Sequence, residues 1–231
     1  MVLQENYKNL GLLSQFIIMN LFDAITTWVP VKKFEKRLVD DKMIGVILHM
    51  ATHAQSAGGL QGWEFIVVKD EKIKEKLYNA SLKQEQIKNA PVCIVVCADL
   101  KKFSLKYHER GEFVYSIQDT ASAVTLIILS ANSLGLGSSW VRAFDEENIK
   151  DILGLPEDIR PVAIIPIGYA KEKPRKESLV PFDRLTWYDK YKQKYLVSMF
   201  FQPGPSEKEV FKPLGNVIKE KIEKYNKREK K

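Results

Sequence analysis

Residues 54–63 read Ala-Gln-Ser-Ala-Gly-Gly-Leu-Gln-Gly-Trp, a run of small side chains around the adjacent pair Gly58-Gly59. Such a segment lets the backbone lie close against a flat ligand, because no Cβ stands in the way. The chain shows no catalytic triad and no paired carboxylates. His49 and His53 stand four residues apart on an expected helix, a pair able to hold zinc. No third-ligand pattern such as H-E-x-x-H accompanies them, and no metal is expected. Cys93 and Cys97 fall on one face of one apolar strand, roughly 13 Å apart at ~3.3 Å per residue. That is too far for a disulfide, so both read as core residues of a reducing interior.

The elements that must position this segment alternate along the chain. Helix is expected over 8–27, ended by Pro30, and over 40–54, opened by the carboxylates of Asp40 and Asp41. Strands are expected at 64–69, 90–98, 139–144 and 161–168, with helices at 70–80, 115–134 and 146–153, the last capped by Asp145. Helix 115–134 is hydrophobic nearly all round, which places it in a core or between subunits. The 231 residues, 45% hydrophobic, can bury a substantial core. Most of the +7 net charge lies in the tail 219–231, so no nucleic-acid surface is expected. The apolar run 10–25 is broken by Ser14, Gln15, Asn20 and Asp23, too short and too polar for a span of about 20 residues. These features imply a cytoplasmic protein with no membrane partner. It divides into a helical arm (1–20), a main domain (21–190) and a C-terminal extension with a basic tail (191–231).

Four segments in this order resemble the nitroreductase family of flavin-dependent oxidoreductases, over about residues 21–188. Residues 54–63 are similar to the family's A-P-S-A-G-N-L-Q-P-W signature. Residues 21–34 look like its opening helix and R-R-S-x-R-x-F segment. Residues 134–144 resemble its L-G-L-G-S-x-W turn, and 145–169 its following helix, L-G-L-P-E turn and P-V-A-I-I-P-I-G-Y strand. The resemblance implies an α+β chain with a three-layer α/β/α arrangement around a central mixed sheet. It also implies an obligate homodimer with two FMN sites at the interface, each lined by both chains. In such a protein flavin takes a hydride from NAD(P)H and passes it to a nitroaromatic, quinone or similar acceptor by a ping-pong sequence.

Carried over by position, Ser56, Ala57, Gly58 and Gly59 would contact the flavin and its ribityl chain, with Gly59 standing where the family has Asn. Lys32 would place a cation at the pyrimidine edge, where it stabilises negative charge on the reduced ring. Gln86 would face the same edge, and Val141 and Arg142 the flavin N5. The phosphate end departs from the pattern: Trp28 or Val29, Pro30 and Leu179 occupy positions where the family has arginine, serine and arginine. Three readings stay open. Lys33, Lys171, Lys173 and Arg175 substitute as phosphate ligands, the site is re-tuned for another flavin form or another flat ligand, or the chain is a non-catalytic binding protein on this scaffold.

Overall fold

The computed structural model describes residues 19–172 and 178–193. The chain divides into two compact units, Met1–Lys176 and Glu177–Lys231. The first unit contains helices α1 (Leu21–Thr27), α2 (Asp41–Ala51), α3 (Glu71–Ala80), α4 (Glu85–Asn89), α5 (Leu100–Arg110), α6 (Ser116–Ser133) and α7 (Glu146–Leu153). Its strands are β1 (Trp63–Val68), β2 (Val92–Asp99), β3 (Gly137–Ser138) and β4 (Ile159–Gly168). In the second unit a short 3-10 turn, Phe182–Arg184, follows Pro181.

Side-chain carboxylates set the helix starts. Asp40, Asp70, Asp99 and Asp145 each accept a first-turn backbone N–H, from Lys42, Ile73, Lys102 and Asn148 respectively. Each bond satisfies a donor that the helix itself leaves orphaned. The expected caps at Asp40 and Asp145 are therefore present. Of the expected helix 8–27, α1 is the part that falls within the described residues.

The strands form one sheet in the order β1-β2-β4-β3. Its ladders run from Trp63↔Ala98 to Val68↔Cys93 and from Asp99↔Ile159 to Val92↔Ile167. All described pairings are antiparallel, where a mixed sheet was expected. Each helical connection between neighbouring strands reverses the chain instead of returning it in the same direction. Alternation along β2 builds two cores. Val92, Ile94 and Val96 meet Met43 and Ile47 of α2 and Val124 and Ile127 of α6. Cys93, Val95 and Cys97 meet Leu77 of α3, Ile87 of α4 and Ile149 of α7. The result is the expected α+β, three-layer arrangement, with both cysteines free and buried on one face.

Two elements depart from expectation. Within the strand foreseen at 139–144 a single bridge forms, between Val141 and Ile164, while the two-residue β3 lies just before it. Pro166 stands between these pairings. It accepts from the Ser139 N–H at 3.2 Å but has no N–H to return, so the ladder breaks. The helix foreseen at 115–134 is α6, preceded by α5 and a π-helical turn, Gly111–Tyr115. Among the described residues, the run Leu100–Ser133 is long and apolar enough by composition to cross a membrane. Val124, Ile127 and Ala131 of that run nevertheless pack in the core.

Candidate functional site

The small-residue segment forms a 3-10 turn, Ala57–Gly59, at the end of the sheet where Trp63 pairs with Ala98. Ser56 caps the segment's far side, its Oγ accepting the Gln61 N–H at 3.0 Å. Gly58 and Gly59 have φ of +54° and +71°, a region glycine enters without steric cost. At Gly58 a Cβ would collide with the Tyr107 hydroxyl and stand 2.6 Å from Lys106 Nζ. At Gly59 a Cβ would meet nothing within 4 Å, so the family's Asn is missing from open space.

Two side chains that the sequence did not single out hold this turn. Asp119 of α6 accepts the Ala57 N–H at 2.8 Å, and Lys106 of α5 donates to the Gly58 carbonyl at 2.9 Å. Asp119 is 7% exposed, and burial raises its carboxyl above the ordinary range while the Ala57 amide draws it back down. Asp119 is the one charged residue of α6, a signal that marks the residue but not its partner.

Lys32, Gln86, Val141 and Arg142 lie elsewhere. The segment carrying Lys32 runs beside β3 and the end of β4: Val31 donates to Ser138 O at 2.9 Å, and Phe34 bridges Ala170. Lys32 itself is exposed. Gln86 sits on α4, half-buried, and donates to Gln84, which in turn donates to the Ala143 carbonyl at 3.0 Å. Val141 is buried, and its N–H donates to Ile164 O at 3.0 Å, so that N–H is not open to a ligand. Arg142 is exposed, with its guanidinium 5.0 Å over the Trp140 ring.

Ser56–Gly59 and Lys32 therefore lie at opposite ends of the sheet, with Val141 midway, across from Ile164, and Gln86 linked through Gln84 to Ala143. Along β4, Arg160 lies across from Ala98 at the glycine end and Gly168 pairs with Gly137 at the Lys32 end. Eight residues of strand separate them, about 25 Å. One chain does not bring Ser56–Gly59 and Lys32 together.

Beside the Lys32 end lies a cavity of about 800 Å³. Lys33, Lys36, Lys74, Lys88 and Lys171 line it, against Glu35 and Glu71. Lys74 is 1% exposed; its ammonium donates to Ala90 O at 2.6 Å and to Glu71 at 2.8 Å. Lys33 pairs with Glu172 at 2.8 Å, which holds the Glu172 carboxyl below its usual range. Lys36 and Lys171 have no ion-pair partner among the described residues. Two of the cations foreseen as phosphate ligands, Lys33 and Lys171, are thus in one cavity, while Lys173 and Arg175 lie outside the described residues. At the family's phosphate positions, Trp28 donates to Ser138 Oγ at 3.2 Å, Pro30 is exposed and Leu179 is 78% exposed. A positive-φ turn left open at Gly59 and a separate group of cations fit a flat, anionic cofactor.

The model of the Nitroreductase family matches residues 25–88 and 81–169, and the chain belongs to that family. A protein of Methanothermobacter thermautotrophicus, provisionally named NADH dehydrogenase/NAD(P)H nitroreductase, is 32% identical over 171 residues, covering 72% of this chain and 86% of that one. An FMN reductase (NADPH) of Bacillus subtilis is 22% identical over 175 residues, 70% of each. The crystal structure of a nitroreductase family protein from Clostridium novyi NT is 31% identical, with a TM-score of 0.61 over 77% of this chain and 98% of that one. The fold is thus that of the family, and oxidoreductases that use flavin are among the relatives.

Proposed function

We propose that two copies of this chain form a homodimer that binds FMN at its interface and reduces a nitroaromatic, a quinone or a similar flat acceptor with electrons from NAD(P)H in the cytoplasm. The observation that carries this reading is the split of the foreseen site. Ser56–Gly59 and Lys32, similar in position to the family's flavin ligands, lie at opposite ends of one sheet, too far apart for one ring. They meet on one cofactor when a second copy supplies the other half.

FMN, when bound, supplies the redox chemistry by accepting a hydride from NAD(P)H and passing the electrons to the acceptor in a ping-pong sequence. The protein's part is placement and charge. The backbone of Ser56–Gly59 lies against the cofactor from one copy, with Asp119 and Lys106 fixing its shape. From the other copy, Lys32 would supply a cation toward the pyrimidine edge, and Gln86 a polar group toward the same edge. At the N5 side, where the Val141 N–H is already spent, the backbone beyond it at Arg142 is the part left to approach the ring. Lys33, Lys171, Lys173 and Arg175 are the candidates to replace the family's phosphate arginines.

Two inactive chains test the shared site. K32E and G58V each strike a different group, so each alone should lose FMN. Co-expressed, they should form mixed dimers with one intact site and recover part of the flavin. A mixture that stays flavin-free overturns the shared-site reading. The residues at Trp28, Pro30 and Leu179 favour one rival, a binding protein without turnover. Such a protein would hold its ligand and leave NADPH unoxidised.

A further inference from the structure

His49 and His53 close the C-terminal end of α2 on its exposed face, and their Nε2 atoms stand 3.5 Å apart. The rings are nearly perpendicular, at 87°, with centroids 4.9 Å apart. Two imidazole nitrogens bound to one tetrahedral ion at about 2.0–2.1 Å must lie roughly 3.4 Å from each other. The separation in the folded chain therefore already matches that of two ligands on one ion.

The backbone beneath the rings is fixed. Thr52 Oγ1 donates to the His49 carbonyl at 2.7 Å, and the His53 N–H to Met50 O at 3.1 Å. Chelation thus requires neither unwinding of the helix nor movement of the chain. We propose that this pair is a two-histidine clamp for a zinc-class divalent ion, with water filling the remaining positions. Imidazole donors select Zn²⁺, Ni²⁺ or Cu²⁺ over the oxygen-seeking ions. Among the described residues no group of three His, Cys, Asp or Glu side chains could hold a metal, so the site is open and exchangeable. Because residue 54 begins the glycine-containing segment, a bound ion would brace the turn from which that segment departs. The inference does not depend on the flavin reading.

The chain simplifies the test, having three histidines and two cysteines, both cysteines buried. Zn²⁺ titrated into the full-length protein in a non-chelating buffer, followed by calorimetry, should bind at one ion per chain and raise the melting temperature. H49Q and H53Q should each weaken that binding roughly tenfold or more, since even the loss of a group supporting a ligand costs that much. His108 is the remaining histidine, exposed on a different helix, so H108N is the control and should bind as wild type. Absence of binding overturns the proposal. So does binding that H49Q and H53Q leave unchanged, or binding that H108N alone removes.

Discussion

Replacing Asp119 separates its two properties, the acceptor it offers and the charge it carries. Its carboxylate lies 62 residues from Ala57 in sequence and 2.8 Å from the Ala57 N–H in the fold. D119A removes the acceptor and leaves that half-buried N–H unpaired, which costs about 1–3 kcal/mol. If the turn must hold its shape to meet FMN, and the loss falls wholly on the bound state, affinity drops roughly five- to 140-fold at about 1.4 kcal/mol per decade. D119N keeps an oxygen in the same place and should hold FMN nearly as well as wild type. The charge acts in the opposite direction. Burial raises the Asp119 carboxyl, so the folded chain keeps its proton to higher pH than the unfolded chain. That contribution is neutral below the unfolded-state value of about 3.9 and becomes destabilising as pH rises through the raised value. D119N should therefore melt higher than wild type at about pH 7, with the advantage vanishing toward about pH 4. Flavin fluorescence quenching measures the affinity and thermal melts across pH measure the stability. A D119A chain that binds FMN as tightly as wild type refutes the reasoning. So does a D119N chain whose gain in melting temperature grows on acidification.

At Gly58, with φ of +54° and the Tyr107 hydroxyl where a Cβ would go, G58A should destabilise by about 2 kcal/mol and lower the melting temperature by roughly 4–8 °C in a melting scan. G59N restores the family's side chain at an open position with φ of +71°, which Asn tolerates, and one new hydrogen bond of about 0.5–1.5 kcal/mol should tighten FMN roughly two- to twelvefold by titration. Burial pushes the thiols of Cys93 and Cys97 up to about 12, so a thiol reagent should label neither in the native protein and both after unfolding.

Much of the fold was legible because its signals are local. The continuous apolar run at 92–98 announces a strand covered on both faces, and the aspartates before α2 and α7 announce helix starts. The break at 139–140 was not legible, because its cause is Pro166 on the neighbouring strand. Nor was α5, a charged helix whose one buried hydrophobic side chain is Phe103. At the site, the glycine segment could be read from its residue types. The support from Asp119 and Lys106 could not, since it spans 48 to 62 residues of sequence. The gathering of Lys33, Lys36, Lys74, Lys88 and Lys171 around one cavity is likewise a product of the fold. In the sequence they are scattered lysines of a kind that usually faces solvent.

The decisive experiment is the visible absorption spectrum of the purified protein, taken anaerobically before and after NADPH and followed by mass identification of the released cofactor. The protein should be yellow, bleach with NADPH, regain its colour with an acceptor such as a quinone, and release FMN on heating. A colourless protein that also refuses added FMN would contradict the proposed function.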